Sequence, residues 1–341
     1  MNRRDFIVTA PALAVSAASA QAMVNAVPIK VRDSQDLNEV QTMSASLKTA
    51  KTVLQTGTVI HVEAGVYTLH DTFRITRSNF AIIAEPGTKI MLAEHVNKPV
   101  LAIGTQQEAP GRTDLIENVY ISGLIIDGNK AFQDSESASD ANWIRNNGID
   151  VRAVKRLTIE NVVSSNNRSG GLVVSWGSSD IYVLNSEFDN NFFDGVAYYD
   201  SARIYTTNVS MKHNNGAGIS LDNALSDSVF SNCIIDSNQD VGIFARNSKE
   251  LRFSNCVIKN SGNYAAFLSH DDSNNGVHDL VFSSCHVLNN RGGFFFGSLN
   301  DAQSSFNSVV GTVFRGNEQA DRKNIQTSGT RIWESANLML V

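Results

Sequence analysis

From Val154 to Gly316 the chain repeats one phrase of apolar and polar positions at an interval of about two dozen residues. LTIENVVSSNNRSGGLVVS begins at Leu157, IYVLNSEFDNNFFDGVAYY at Ile181 and IYTTNVSMKHNNGAGISLD at Ile204. Three more copies start at Ser228, Leu251 and Leu280, and a worn seventh spans Val309 to Asn317. Each reads as a period-two strand, an Asn, a second short alternation, an Asn-rich corner, a Gly and a third strand. The first Asn falls at Asn161, Asn185, Asn208, Asn232 and Asn255, in steps of 24, 23, 24 and 23 residues. A fixed period in this range, with no 3.6-residue spacing inside the copies, predicts a solenoid whose coils stack only on their neighbours.

The alternation after the corner glycine separates inward from outward positions. With Gly148, Gly171, Gly195, Gly218, Gly242 and Ala265 as equivalents, the first position after each is Ile149, Leu172, Val196, Ile219, Ile243 and Ala266. The third is Val151, Val174, Tyr198, Leu221, Ala245 and Leu268. Both columns are largely apolar and are expected in the core. The second column, Asp150, Val173, Ala197, Ser220, Phe244 and Phe267, then faces outward, as does the fourth, Arg152, Ser175, Tyr199, Asp222, Arg246 and Ser269. With coils about 4.8 Å apart, Tyr199, Asp222 and Arg246 become consecutive neighbours on a surface whose pitch is close to that of a sugar residue. The Asn columns are expected to be structural, because Asn tolerates left-handed corners and its amide can bond to the equivalent amide one coil on.

Outside the regular copies, Asp36 to Gln55 spaces Leu37, Val40, Met43, Leu47, Ala50 and Leu54 as an amphipathic helix, expected to cap the open end of the stack. Residues 318–341 are expected to cap the other end. GTVIHVEAGVYTL from Gly57, FAIIAEPGTKIML from Phe80 and NVYISGLIIDGNK from Asn118 read as irregular early coils. Residues 130–145 interrupt the pattern with a polar insertion that carries Trp143, the kind of loop that walls a groove and offers a ring to a sugar. A shorter expansion lies at residues 269–275.

The helix followed by Gly57-Thr58-Val59-Ile60, Ala64-Gly65-Val66-Tyr67, Glu85-Pro86-Gly87-Thr88 and Ile126-Asp127-Gly128-Asn129, together with the repeats, resembles the pectin-lyase-like superfamily. The resemblance covers nearly all of the chain after the leader. It implies an all-β fold, a right-handed parallel β-helix forming one domain over residues 23–341. It also implies carbohydrate chemistry, in a superfamily that holds polysaccharide lyases, glycoside hydrolases, uronan epimerases and non-catalytic glycan binders.

Residues 1–22 resemble a twin-arginine export signal, with Arg3-Arg4, an uncharged run from Ile7 to Ala20, and small-residue cleavage sites at Ala18-Ser19-Ala20 and Ala20-Gln21-Ala22. This implies the twin-arginine export machinery as a partner, no membrane span in the mature protein, and a periplasmic or secreted location. The 341 residues are 42% hydrophobic, enough for a large core, and the net charge of -6 gives no support to a nucleic-acid partner. Cys233, Cys256 and Cys285 occupy one column, which points to buried free thiols rather than a disulfide framework or metal site.

Two reaction classes suit the outward face. Hydrolysis of a glycosidic bond needs two carboxyl groups flanking it. Asp194, in Phe192-Phe193-Asp194-Gly195, stands where polygalacturonase-like hydrolases carry the aspartate of Asn-Thr-Asp-Gly. The rest of that pattern is replaced by Gly216-Ala217-Gly218 and Asp240-Val241-Gly242, so Asp222 or Asp240 would have to supply the second carboxylate. β-Elimination from a uronic acid needs a group to neutralise the carboxylate, a base and an acid. Arg152 and Arg246 are candidates to clamp the carboxylate, and Tyr199 or His270 to move protons. Elimination is preferred on this inventory.

The candidate catalytic set is Tyr199, Asp222, Arg246, Asp194 and His270, with Arg152, Asp150, Trp143, Ser220 and Asp271 binding the polysaccharide. No cofactor is required. Calcium is the one candidate metal, with Asp271, Asp272 and Asp222 as possible ligands, although they form no dense cluster in sequence. The absence of His-Glu-x-x-His, Gly-x-Ser-x-Gly and a Gly-rich phosphate loop removes metalloprotease, serine-hydrolase and nucleotide-dependent readings. A non-catalytic glycan-binding β-helix is the alternative to an enzyme.

Overall fold

The computed structural model describes residues 28–31, 57–105, 115–138, 143–297, 306–317, 325–328 and 332–340. Among these, nearly every coil gives one strand to each of three parallel sheets of 13, 11 and 10 strands. In a typical coil Ser178–Leu184 lies in the first sheet, Glu187–Asp189 in the second and Val196–Tyr199 in the third. The next coil repeats the order with Ser201–Thr207, Ser210–Lys212 and Ile219–Asp222. Strand after strand pairs with its equivalent one coil on, Val196 with Ile219 and Ile219 with Ile243.

The corners explain the asparagines. Between the first and second sheets, Asn161, Asn185, Asn208, Asn232 and Asn255 all turn the chain with φ between 49° and 55°, a left-handed conformation that asparagine adopts far more readily than most residues. Between the second and third sheets a different set is buried. Asn167, Asn191, Asn214 and Asn238 form a ladder in which each Nδ2 donates to the Oδ1 of the next, at 2.7, 2.8 and 2.9 Å. The same oxygens also accept backbone N–H bonds from the preceding coil. From Asn191 onward each amide oxygen is satisfied by the coil before it, which allows polar corners inside a stack that excludes water, while the Asn167 Oδ1 at the N-terminal end has no partner. The glycine after each corner is sterically required. A Cβ on Gly195 would lie 2.7 Å from the Gly218 carbonyl oxygen and 2.8 Å from Asn214 Nδ2.

The inward columns fill the core as the alternation requires, with Ile149, Leu172, Val196 and Ile219 fully buried. Each such side chain stabilises the fold by about 1.5–3 kcal/mol. Phe230, Phe253 and Phe282 stack through successive coils with ring centroids 4.4 and 5.0 Å apart. Cys233, Cys256 and Cys285 run as a buried column of free thiols.

The expected leader at 1–22 and the expected capping helix at 36–55 lie outside the described residues. At the other end, Ile325–Ser328, Ile332–Ser335 and Leu338–Leu340 add one more strand to each sheet, and Trp333 and Leu338 are left exposed. The insertion at 130–145 starts with a short 3-10 turn at Lys130–Phe132 and closes through an antiparallel bridge between Ser137 and Arg145. It tucks Ala138 and Ile144 against the stack. Among the described residues no helix is long and apolar enough to cross a membrane.

Candidate functional site

The outer face of the third sheet carries the polar columns where the alternation places them. Asp150 pairs with Val173, Val173 with Ala197, Ala197 with Ser220 and Ser220 with Phe244, so this column runs unbroken along the stack. Tyr199 pairs with Asp222, and Arg246 follows one coil on, its N–H bonded to the Leu221 carbonyl. Ala197 and Ser220, in the column that begins at Asp150, are small and buried.

Asp194, just before the corner Gly195, is 4% exposed. Burial pushes its carboxyl up to about 7, with the nearby Asp240 charge adding to the rise, while hydrogen bonds from the Ala217 N–H and the Tyr199 side chain oppose it. The Ala217 N–H donates to Oδ1 at 2.7 Å. Tyr199 starts from the far end of the strand and lies back across it, its hydroxyl donating to Ser220 Oγ at 3.3 Å. Burial, then the Asp194 charge, raises the phenol well above its ordinary range, and the Arg145 charge opposes this. A carboxyl that ionises near neutrality thus lies against a phenol held protonated. The first can accept a proton and the second can give one.

Asp222 and Arg246 form an ion pair in which Arg246 Nε donates to Asp222 Oδ2 at 2.9 Å. Its Oδ1 accepts the Asn223 N–H. Arg246 is therefore engaged by Asp222, as Arg145 is by Glu136. Asp271 is likewise engaged, accepting from the N–H groups of Ser273 and Asn275 and from the amides of Asn247 and Asn275. These bonds hold its carboxyl below the usual range and shape the 269–275 loop. His270 is half-buried with Nδ1 unbonded. Among the described residues no group of three or more His, Cys, Asp or Glu is placed to hold a metal ion, so Asp222, Asp271 and Asp272 do not come together as a calcium site.

A second cluster lies two coils toward the N-terminus. Asp150 and Arg152 are 5% and 4% exposed. Asp150 Oδ2 accepts from Asn147 Nδ2 at 3.0 Å, and the Arg152 guanidinium sits 5.1 Å from the Trp176 ring centroid. Burial pushes Asp150 up to about 6 against the opposing charge of Arg152, and burial lowers Arg152 from its ordinary value.

Two participants escape the strand pattern. Arg145, at the end of the insertion, is near enough to act on Tyr199, and it pairs with Glu136 at 3.0 Å. Its signal in the sequence is only that it ends the insertion, two residues after Trp143. Trp176 occupies the fifth position after the corner Gly, a column that otherwise reads Ala153, Asp200, Asn223 and Asn247. All five have positive φ, with Trp176 at 59°. Trp143 itself is 39% exposed on the insertion.

The model of the right-handed β-helix region matches residues 114–277 and 171–332, which together make up more than half of the chain. The chain belongs to the right-handed β-helix family. Among curated proteins no sequence match is found. Among solved structures, this β-helix is similar to ORF18 of Geobacillus virus E2, with a TM-score of 0.67 and 13% identity over 97% of this chain and 65% of that one. It is similar to the A-module of the Azotobacter vinelandii mannuronan C-5 epimerase AlgE4, with a TM-score of 0.53 and 13% identity over 91% and 98% of the two chains. The tailspike gp49 of Acinetobacter baumannii bacteriophage Fri1, a capsular polysaccharide depolymerase, matches with a TM-score of 0.58 and 12% identity over 93% and 63%. The chain therefore spans about two thirds of the length of both phage proteins. At these identities the likeness is one of fold.

Proposed function

We propose that the protein acts on a uronate-containing polysaccharide laid along the third sheet and cleaves it by β-elimination. The observation that carries this reading is the buried Asp194 carboxyl, fixed by the Ala217 N–H, with the Tyr199 phenol beside it on the same face, both pushed up by burial. As a carboxylate, Asp194 takes the proton from the ring carbon that bears the uronate carboxyl group. The released electron pair forms a carbon–carbon double bond as the adjacent bond to the glycosidic oxygen breaks. Tyr199 gives its phenolic proton to the departing oxygen. Asp194 then gives up its proton and the phenolate takes one back, by exchange with solvent once the product leaves, which restores both groups. Arg145, whose charge reaches Tyr199, is assigned to the uronate carboxylate, where it would lower the cost of the carbanion-like transition state.

The polysaccharide-related neighbours, the epimerase module and the depolymerase tailspike, make a carbohydrate role plausible for this fold. The Arg3-Arg4 leader suits an exported enzyme whose substrate lies outside the cytoplasm. Hydrolysis is the second reading, favoured by the Asp240 charge acting on Asp194, which would make the two carboxyls the acid and base of a hydrolase.

The test is incubation with a panel of uronate-containing and neutral glycans. Elimination yields the ultraviolet absorbance of an unsaturated uronide, hydrolysis yields new reducing ends without it, and a binding module yields neither. Tyr199→Phe and Asp194→Asn are each expected to lower the elimination rate by about 100-fold or more, the usual worth of a positioned acid or base. Full activity in both variants would sink the assignment.

A further inference from the structure

The Asp150 and Arg152 cluster stands apart from the proton-transfer pair, and its own partners do not satisfy it. Asp150 Oδ1 and Arg152 Nη1 are both buried with no hydrogen-bond partner. The two side chains project from the same outward face, two positions apart on one strand. Among the described residues no ion pair joins them. Two opposite charges buried on one strand that leave an acceptor and a donor unmet are costly for the isolated protein. A ligand that brings a hydroxyl donor for Asp150 and an anionic oxygen for Arg152 would meet both needs.

Trp176 provides a second, independent sign. A bulky residue at φ 59° is an outlier in a region that suits Asn, Asp or Gly, and such strain clusters at functional positions. Here it sets an indole against the Arg152 guanidinium, which holds the cation in place. On the N-terminal side Arg152 pairs with Gly104, which projects no side chain. On the C-terminal side the next coil presents only Val173 and Ser175, and Tyr199 follows one coil later. Arg152 and Tyr199 are thus two coils, about 10 Å, apart along the axis, close to the length of two sugar residues.

We propose that Asp150, Arg152 and Trp176 form a specificity subsite that binds one acidic sugar residue, its carboxylate on Arg152 and a ring hydroxyl on Asp150, two residues along the strand from the bond that is cleaved. This rests on the reading that the third sheet holds a uronate polysaccharide, and it adds which residue of that strand must be charged.

The test uses full-length protein carrying Tyr199→Phe, so that oligosaccharides bind without turnover. Uronate oligosaccharides of three to five residues and their carboxyl-reduced counterparts are titrated by calorimetry, and wild-type turnover is followed in parallel. The acidic forms are expected to bind about 10- to 100-fold more tightly than the reduced forms, the usual range for a hydrogen bond to a charged group. Adding Arg152→Gln should collapse that preference to nearly onefold, and Trp176→Phe, which keeps an aromatic ring, should weaken it partially. A merely structural role for Arg152 would lower affinity for both forms alike. Wild-type turnover with an undiminished acid preference in the Arg152→Gln protein would overturn the subsite and leave the lyase reading standing. Absence of both binding and turnover with every acidic glycan would overturn both.

Discussion

Asp194 is maintained at a thermodynamic disadvantage. Its carboxyl ionises at about 7 in the folded chain and at about 3.9 in an unfolded one, so between these values the folded state binds more protons. Stability from this group is therefore complete below about pH 4 and is lost as pH rises to 7. Asp194→Asn, which keeps an acceptor for the Ala217 N–H, should melt at a higher temperature than wild type at pH 8, with the difference vanishing near pH 4. Calorimetry at the two pH values checks this. The same ionisation sets activity in the opposite sense. Because elimination needs the carboxylate, kcat/KM should climb with pH through about 7, and a profile that falls there would mark Asp194 as the acid instead. The residues of this pair were legible singly, Tyr199 from its outward column and Asp194 from its place before the corner Gly. Their contact was not, because it depends on a tyrosine lying back along its own strand, and the tilt of a side chain along its strand follows no period in sequence.

At the level of elements, the strands were readable because a period of two inside a period of about two dozen residues fixes both face and register. The Asp222–Arg246 pair follows from that register alone. The insertion does not, since nothing periodic ties Arg145 to Tyr199, and Trp176 was hidden in a corner column that packing never forces to a single type. Corners also govern the site. A Cβ on Gly216 would meet Asp194 Oδ1 at 2.5 Å and the Phe193 carbonyl carbon at 3.0 Å. Gly216→Ala should displace the carboxyl and cost about 100-fold in rate while circular dichroism still reports a folded β-helix. Asn214→Ala removes a rung of the buried ladder and strands the Asn191 N–H and Nδ2 groups. A loss of about 2–5 kcal/mol is expected from chemical denaturation.

For the whole molecule, the thiol column reports on opening of the stack. Cys256 is pushed up to about 12, mainly by its hydrogen bond with Cys233, and Cys285 higher still through its bond with Cys256. All three are buried in the core, so an aromatic disulfide reagent should find no reactive thiol in native protein and three in denaturant. Labelling should keep pace with global unfolding, and fast labelling under native conditions would mean that coils part locally. The two-coil interval between Arg152 and Tyr199 has a further consequence. Strand positions repeat only in whole coils, so the distance between two side chains along the axis can change only in steps of one coil. Gain or loss of one complete coil between them would move the selected sugar by one residue and leave every hydrogen-bonded column intact. A fraction of a coil would turn the inward face out. In such a scaffold substrate length is counted in integers.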